Sequence, residues 1–318
     1  MKKNLLIGAI TNYAWEYVAP FFKSYQRAGF ENCDCVMFVA NMSESTIEKI
    51  KSCGVTVLQI PDNIKNERII NSRWKIYEDF IKANPEKYNL VFTADVRDVF
   101  FQRDVFKLYE NYRSFLGIAI EDGDISDDPK YNKKWIIDAY GEDIYNMIAH
   151  ERIFCVGTVW GTADKFCEFA SIMWDKLGSD WARRKNVIEQ GVSNYLIYHD
   201  KMFADSLIKS DNQSGYVMTI GLTKRENIKL DSNNNILNGK GEIAAVVHQY
   251  DRKIDIVWKV INKFCPECKL YYKAVILRYP GLFWRVMRYY YCCVCKKGLF
   301  KALYITIRRR LPGGKNFG

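Results

Sequence analysis

Acidic residues are almost missing from the last fifth of this 318-residue chain. Residues 252–318 hold 16 Lys and Arg but only Asp255 and Glu267, a net charge of +14. The remaining 251 residues are net −4, although the chain as a whole is +10. The asymmetry marks a segment suited to an anionic surface, set beside an ordinary body. Histidine is also scarce, at positions 150, 199 and 248 only, so imidazole chemistry has few places to reside. No stretch approaches the ~20 apolar residues of a spanning helix. No internal repeat or low-complexity segment is present. The start, Met-Lys-Lys-Asn-Leu-Leu-Ile-Gly-Ala-Ile, lacks the length of a signal peptide and meets Asn12 and Trp15–Glu16 at once. It reads as a first buried strand, and the ten cysteines are then expected as reduced thiols in a cytosol. Hydrophobic residues make up 48% and charged residues 26%, which excludes collagen, a disordered chain and a polytopic membrane protein. Aromatics reach 15%, enough for a core and for stacking on sugars or bases.

The first half alternates apolar runs with helical patterns. Residues 4–11, 34–40, 55–60 and 88–94 read as buried strands. Residues 15–28, 43–53 and 66–83 read as helices, the second opened by Ser43 and Thr46 in a capping pattern. Continuous β-branched runs separated by helix-length connections predict a parallel sheet covered on both faces. Ligands of such sheets sit at the carboxyl ends of strands, here 10–13, 61–63 and 95–98. The second half predicts strands at 115–120, 154–159 and 243–247. Helices are predicted at 135–148, 165–177 and 187–198. A composition break near residue 251 divides a body (1–251) from a basic appendage (252–318).

The chemistry concentrates in Leu90-Val-Phe-Thr-Ala-Asp95-Val-Arg97-Asp98-Val-Phe-Phe-Gln102. Spacing alone is empty of meaning, since Asp124 and Asp127 repeat it in a polar stretch. Position gives it content. Two carboxylates leaving a central strand repel each other unless a cation lies between, and hard oxygens suit Mg²⁺ or Mn²⁺. The alternative is a strand-end turn, with Asp98 capping a following helix and Arg97 paired at the surface.

This segment resembles the D-x-D region of GT-A nucleotide-sugar glycosyltransferases, most of all bacterial polysaccharide and lipopolysaccharide enzymes carrying a TDVRDVxFQ stretch. Three further stretches are similar to that family, in its order. Cys155-Val-Gly157-Thr158-Val-Trp-Gly161-Thr162 resembles the strand lining the donor sugar. Glu189-Gln190-x-x-x-Asn194 resembles its Asp-Gln-x-x-x-Asn helix. Val247-His248-Gln-Tyr-Asp251-Arg252 resembles its closing histidine segment. The resemblance implies an α/β GT-A (Rossmann-like) fold and transfer of a hexose from a nucleoside diphosphate sugar, UDP foremost, to a glycan or lipid-linked acceptor. It implies retention, and a Mn²⁺ or Mg²⁺ ion on Asp95, Asp98 and His248. It further implies that Gly157 and Thr158 meet the sugar and that Glu189 and Gln190 serve catalysis. Thr11, Asn12 and Tyr13 fall where the fold seats a base and ribose. Arg73 could reach a diphosphate or lie on a solvated helix face. Arg97 and Arg68 are further basic candidates. Asp122 could touch a sugar hydroxyl or belong to an acidic loop; in an inverting enzyme, Glu189 or Asp122 would be the base. The chain departs from the family in its D-x-x-D spacing, in Glu189 for Asp and in Cys155 for Asn.

Two other readings stay open. A nucleotidyltransferase of nucleotide-sugar synthesis shares the fold, but it needs a Gly-rich phosphate loop after the first strand. Ile10-Thr-Asn-Tyr-Ala-Trp offers none. A non-catalytic membrane-binding or zinc module with a degenerate body is the other. In the tail, bulky aromatic and aliphatic residues interleave with Lys and Arg, which suits a helix lying on an anionic membrane. Cys265/Cys268 and Cys292/Cys295 form two C-x-x-C pairs, wider apart than usual zinc spacings, and no zinc is expected. No nucleic-acid motif accompanies the tail, so none is expected to bind. The expected location is peripheral, on the cytoplasmic face of the inner membrane.

Overall fold

A computed structural model describes residues 2–64, 67–185 and 187–269. The calls on the tail beyond 269, including Cys292 and Cys295, lie outside the described residues. Residues 1–250 form one compact unit, and a second begins at Asp251.

The body opens with β1 (Lys3–Thr11), α1 (Trp15–Arg27), β2 (Cys33–Ala40), α2 (Glu44–Lys51), β3 (Thr56–Gln59), α3 (Ile69–Lys82) and β4 (Tyr88–Ala94). Ser43 caps α2, its hydroxyl accepting from the Thr46 N–H at 3.2 Å. Then follow β5 (Val99–Phe101), β6 (Leu116–Asp124), α4 (Asn132–Tyr140), α5 (Glu142–Ile148), β7 (Arg152–Thr162) and α6 (Ala163–Leu177). After these come α7 (Asp180–Lys185), α8 (Glu189–Asn194), β8 (Leu207–Ser210), β9 (Val217–Thr219), β10 (Lys229–Leu230), β11 (Ile236–Leu237) and β12 (Val246–His248).

Seven strands form the main sheet in the order β3-β2-β1-β4-β7-β6-β8. β7 runs antiparallel to both its neighbours, and every other pairing is parallel. The mainly parallel α/β sheet expected from the apolar runs is therefore present. Alternation within the strands covers both faces. Leu5 and Ile7 of β1 and Val91 of β4 join a core with Trp74 and Tyr77 of α3 and Phe166 and Phe169 of α6. On the opposite face, Phe92 meets Phe101 edge-on at 6.5 Å, and Phe101 meets Phe21 of α1 edge-on at 4.9 Å.

Three expectations change in detail. The helix read over 135–148 is two helices, because Gly141 has φ +92°, a conformation that breaks the hydrogen-bond ladder. The helix read over 187–198 is α8 followed by a π-helical turn at Tyr195–His199. No helix follows Asp98. Its place is taken by β5, which pairs antiparallel with β12, while β12 pairs parallel with β9.

In the second unit, α9 (Ile254–Phe264) buries Ile254, Val257, Val260, Ile261 and Phe264, the i, i+3, i+4 pattern of one face. Among the described residues, no helix is long and apolar enough to cross a membrane.

Candidate active site

The strand order reverses at β1, which lies between β2 and β4. The carboxyl ends of β1 and β4 therefore border the crevice where open α/β sheets bind ligands. Thr11, Asn12 and Tyr13 leave β1 there. Asn12 has φ +61°, a left-handed conformation that asparagine tolerates. The Tyr13 N–H donates to the Met42 sulfur at 3.3 Å, tying this turn to the segment after β2.

Asp95 and Asp98 leave β4. His248 ends β12, and its partner in the β5–β12 ladder is Val99, the residue after Asp98. Strand register thus brings the histidine to the acids. His248 Nε2 lies 3.6 Å from Asp95 Oδ2 and 3.7 Å from Asp98 Oδ1. One ligand atom from each of the three residues falls within 4.8 Å of the others. The second oxygen of each acid is held elsewhere. Arg73 donates to Asp95 Oδ1 at 2.6 Å, and Arg97 donates to Asp98 Oδ2 at 3.3 Å. In each carboxylate the other oxygen faces His248 Nε2 across the shared space. Two hard oxygens and an imidazole fit Mn²⁺ or Mg²⁺.

Gly157 keeps that space open. A Cβ there would lie 2.3 Å from His248 Cε1 and 2.8 Å from Asp95 Oδ2. Neither can retreat easily, since His248 is buried and Asp95 is tied to Arg73. Gly157→Ala should fold but weaken Mn²⁺-dependent nucleotide binding by about tenfold or more, in line with disturbed support of metal ligands. Titration of Mn²⁺ with UDP checks this; unchanged affinity would show that the gap has no role. Thr158, next along β7, is fully buried, and its hydroxyl has no partner among the described residues.

Arg73 is buried rather than solvated. Besides Asp95, it binds Glu189 through Nε at 2.9 Å and a terminal nitrogen at 2.7 Å, and Trp74 Nε1 donates to Glu189 Oε2 at 2.6 Å. Glu189 thus accepts three donors. Gln190 is occupied too: its Oε1 accepts from Val156 N–H at 3.1 Å, and its Nε2 donates to Phe154 O at 2.5 Å and Asn132 Oδ1 at 3.2 Å. Asn194 brackets Phe154 by accepting from its N–H and donating to its carbonyl. The Glu-Gln-x-x-x-Asn helix is sewn to β7 beside Gly157. Asp122 lies near the end of β6, not in a loop, and accepts from Thr223 Oγ1 at 2.6 Å, Asn212 Nδ2 at 3.0 Å and Arg152 at 3.4 Å. Arg68 caps the start of α3 without a side-chain cap bond.

Sequence reasoning passed over Trp74, Glu121 and Gln249. Glu121 is a buried carboxylate whose Oε1 accepts from Gln249 Nε2 at 3.3 Å. Adjacency to His248 was the available signal for Gln249; Glu121 had none beyond its place before Asp122.

The charges polarise one another. Burial presses Asp95 upward, but Arg73 and then His248 outweigh it and hold the carboxyl well below its usual range. Burial pushes Glu189 up to about 7, against the pull of Arg73 and with the help of Asp95. Burial presses His248 down, while the Cys155 sulfur and the Asp98 and Asp95 carboxylates raise it well above its usual range. Two carboxylates flanking one guanidinium thus separate in acidity. For Glu189 the folded value exceeds the ordinary 4.5, so its proton favours the fold. That contribution is complete below about 4.5 and is lost as pH rises through about 7. The melting temperature of the wild type should therefore fall relative to Glu189→Gln across that window. Parallel curves would contradict the raised acidity constant.

No family model matches the chain, and no curated protein matches its sequence. Solved structures do match. The glycosyltransferase GlyE of Streptococcus pneumoniae TIGR4 aligns over 86% of this chain and 64% of its own, at 12% identity and a TM-score of 0.50. The galactosyltransferase LgtC, solved with donor and acceptor sugar analogs, aligns over 77% of this chain and 86% of its own, at 17% identity and a TM-score of 0.46. An active-site mutant of LgtC covers the same shares at 15% identity and a TM-score of 0.47. The fold is GT-A. Likeness at these identities is one of architecture, and the chemistry rests on the residues themselves.

Proposed function

We propose that this chain is a metal-dependent glycosyltransferase that moves a hexose from a nucleoside diphosphate sugar to a hydroxyl acceptor. The observation that carries the reading is the convergence of Asp95, Asp98 and His248 at the switch point of a GT-A sheet, with Gly157 clearing the space beside them. Asp95, Asp98 and His248 would hold Mn²⁺ or Mg²⁺, whose chemistry is to neutralise charge developing on the leaving diphosphate. Thr11, Asn12 and Tyr13, at the end of β1, would meet the base and ribose of a UDP donor. Gly157 and Thr158 would line the sugar. Arg97, half-exposed beside Asp98, would face the diphosphate from the rim. Arg73, Glu189 and Gln190 would shape the floor, since their polar atoms are committed to protein partners. Asp122 would act at the acceptor side only through a change of partners. Transfer would proceed with retention, as the resemblance of the closing histidine segment implies.

The test is a screen of UDP-, GDP- and dTDP-hexoses for Mn²⁺-dependent release of the nucleoside diphosphate. Release from one donor, lost on adding a chelator, supports the reading. Nucleotide-sugar formation from a sugar phosphate and a nucleoside triphosphate would instead favour the nucleotidyltransferase reading.

The body would span about residues 1–251, and residues 252–318 would serve as a basic, aromatic membrane-surface appendage. Their net charge of +14 supports this, since each Lys or Arg near an anionic leaflet contributes about 1 kcal/mol. A lipid-linked or lipopolysaccharide acceptor at the cytoplasmic face of an inner membrane would then lie within reach. Binding to phosphatidylglycerol vesicles should be strong at low salt and weaken as salt rises. Absence of binding at low salt would remove the membrane assignment and leave the transferase reading intact.

A further inference from the structure

His248 can serve a metal only if its ring presents Nε2, and not Nδ1, to the two acids. Something must fix that choice. On the far side of the ring, Nδ1 lies 3.6 Å from Cys155 Sγ. The same sulfur receives Gln249 Nε2 at 3.5 Å. Gln249 Nε2 also donates to Glu121 Oε1 at 3.3 Å. All four side chains are buried.

The backbone makes this arrangement unusual. His248 and Gln249 are consecutive, and consecutive residues of an extended strand face opposite sides. Here both side chains reach one sulfur atom. They can do so because Gln249 has φ +58°, in the left-handed region. That conformation is rare for a long side chain, and such strain persists where surrounding contacts demand it. The demand is visible: Glu121 takes one hydrogen of the Gln249 amide, and Cys155 takes the other. Gln249 Oε1 is buried with no partner among the described residues, so the side chain is placed by its nitrogen alone.

Resting on the metal-site reading above, we infer that Glu121, Gln249 and Cys155 form a back wall that clamps the His248 imidazole with Nε2 toward Asp95 and Asp98. They are positioning residues. None needs to touch an ion or a substrate. The strained backbone at Gln249 brings the wall against the ring, and Cys155 is the contact through which it acts. Outer partners of metal-binding imidazoles have this office generally, and their removal costs about 10–100-fold in metal affinity.

The experiment uses the full chain and Mn²⁺ alone, followed by electron paramagnetic resonance and calorimetry, with no sugar or nucleotide present. Gln249→Gly relaxes the backbone and deletes the amide. Loss of a donor to the buried Glu121 should lower the melting temperature of the metal-free protein, and the folded variant should bind Mn²⁺ about 10–100-fold more weakly. Cys155→Ala should weaken Mn²⁺ similarly. Cys155→Asn offers a carbonyl oxygen as acceptor for Nδ1–H and should restore affinity to within about threefold of wild type. If Cys155→Ala or Gln249→Gly fails to fold, Glu121→Leu, which removes the acceptor that places the Gln249 amide, gives the same readout. Unchanged Mn²⁺ affinity in the folded variants, with wild-type binding intact, overturns the inference and spares the metal site. Absence of Mn²⁺ binding in the wild type overturns both.

Discussion

Asp98→Asn should abolish sugar transfer and leave the fold standing. The acid is buried and offers one oxygen to the space shared with Asp95 and His248, while Arg97 holds the other. An amide retains the shape but supplies no charge to a divalent ion. A loss of at least about 10³-fold in kcat is expected, equivalent to about 4 kcal/mol of transition-state stabilisation. Mn²⁺-dependent UDP binding should fall in parallel. The far-ultraviolet circular dichroism spectrum and the melting temperature should barely move. Turnover at the wild-type rate would remove the centre of the functional reading.

Arg73→Ala should show the opposite pattern, with stability falling first. Arg73 is a buried cation shared by Asp95 and Glu189. Its own acidity is driven far down, since the charges of Glu189 and Asp95 overcome the penalty of burial. Deleting it strands the Glu189 carboxylate in the interior, and breaking a buried pair in this way costs about 3–5 kcal/mol. Urea denaturation should register that loss. Arg73→Lys should recover little, because one ammonium cannot reproduce the fork that grips Glu189 at two atoms. The double variant Arg73→Met, Glu189→Leu should regain part of the stability by removing a charge together with its partner. Equal stability of Arg73→Ala and wild type would mean that the triad is solvated in solution.

Much of the fold could be read from local pattern. β1 to β4 are continuous apolar runs, and a carboxylate that ends such a run declares itself in one dimension. Asp95 and Asp98 stood out as candidates for that reason, whereas His248 became one only through the resemblance of its segment to a family motif. Pairings across long separations were not. The β5–β12 ladder joins three residues at 99–101 to three at 246–248, and the strand read over 243–247 carries no mark of which partner it takes or in what register. Arg73 gave an ambiguous signal because arginine is ordinarily a surface residue; Asp95 and Glu189, the latter 116 positions away, together account for its burial. Asp122 sits in a run of acids resembling a loop, and its true setting depends on Asn212 and Thr223 from a distant segment. The left-handed turn at Gln249 has no sequence mark at all, since glycine and asparagine are the residues that advertise it. Local chemistry named candidate residues, and tertiary contacts decided which of them come together.

The β5–β12 ladder also has a consequence for the timing of assembly. Chains emerge from the ribosome amino end first, and early segments begin to fold as they emerge. By the time β4 has been made, Asp95 and Asp98 exist, yet their imidazole partner is still about 150 residues from synthesis. The acids must wait, charged and adjacent, until β12 arrives to pair with β5. A nascent chain therefore cannot bring Asp95, Asp98 and His248 together until the body is nearly finished. Termination between residues 210 and 248 would leave all seven strands of the main sheet in place and His248 missing.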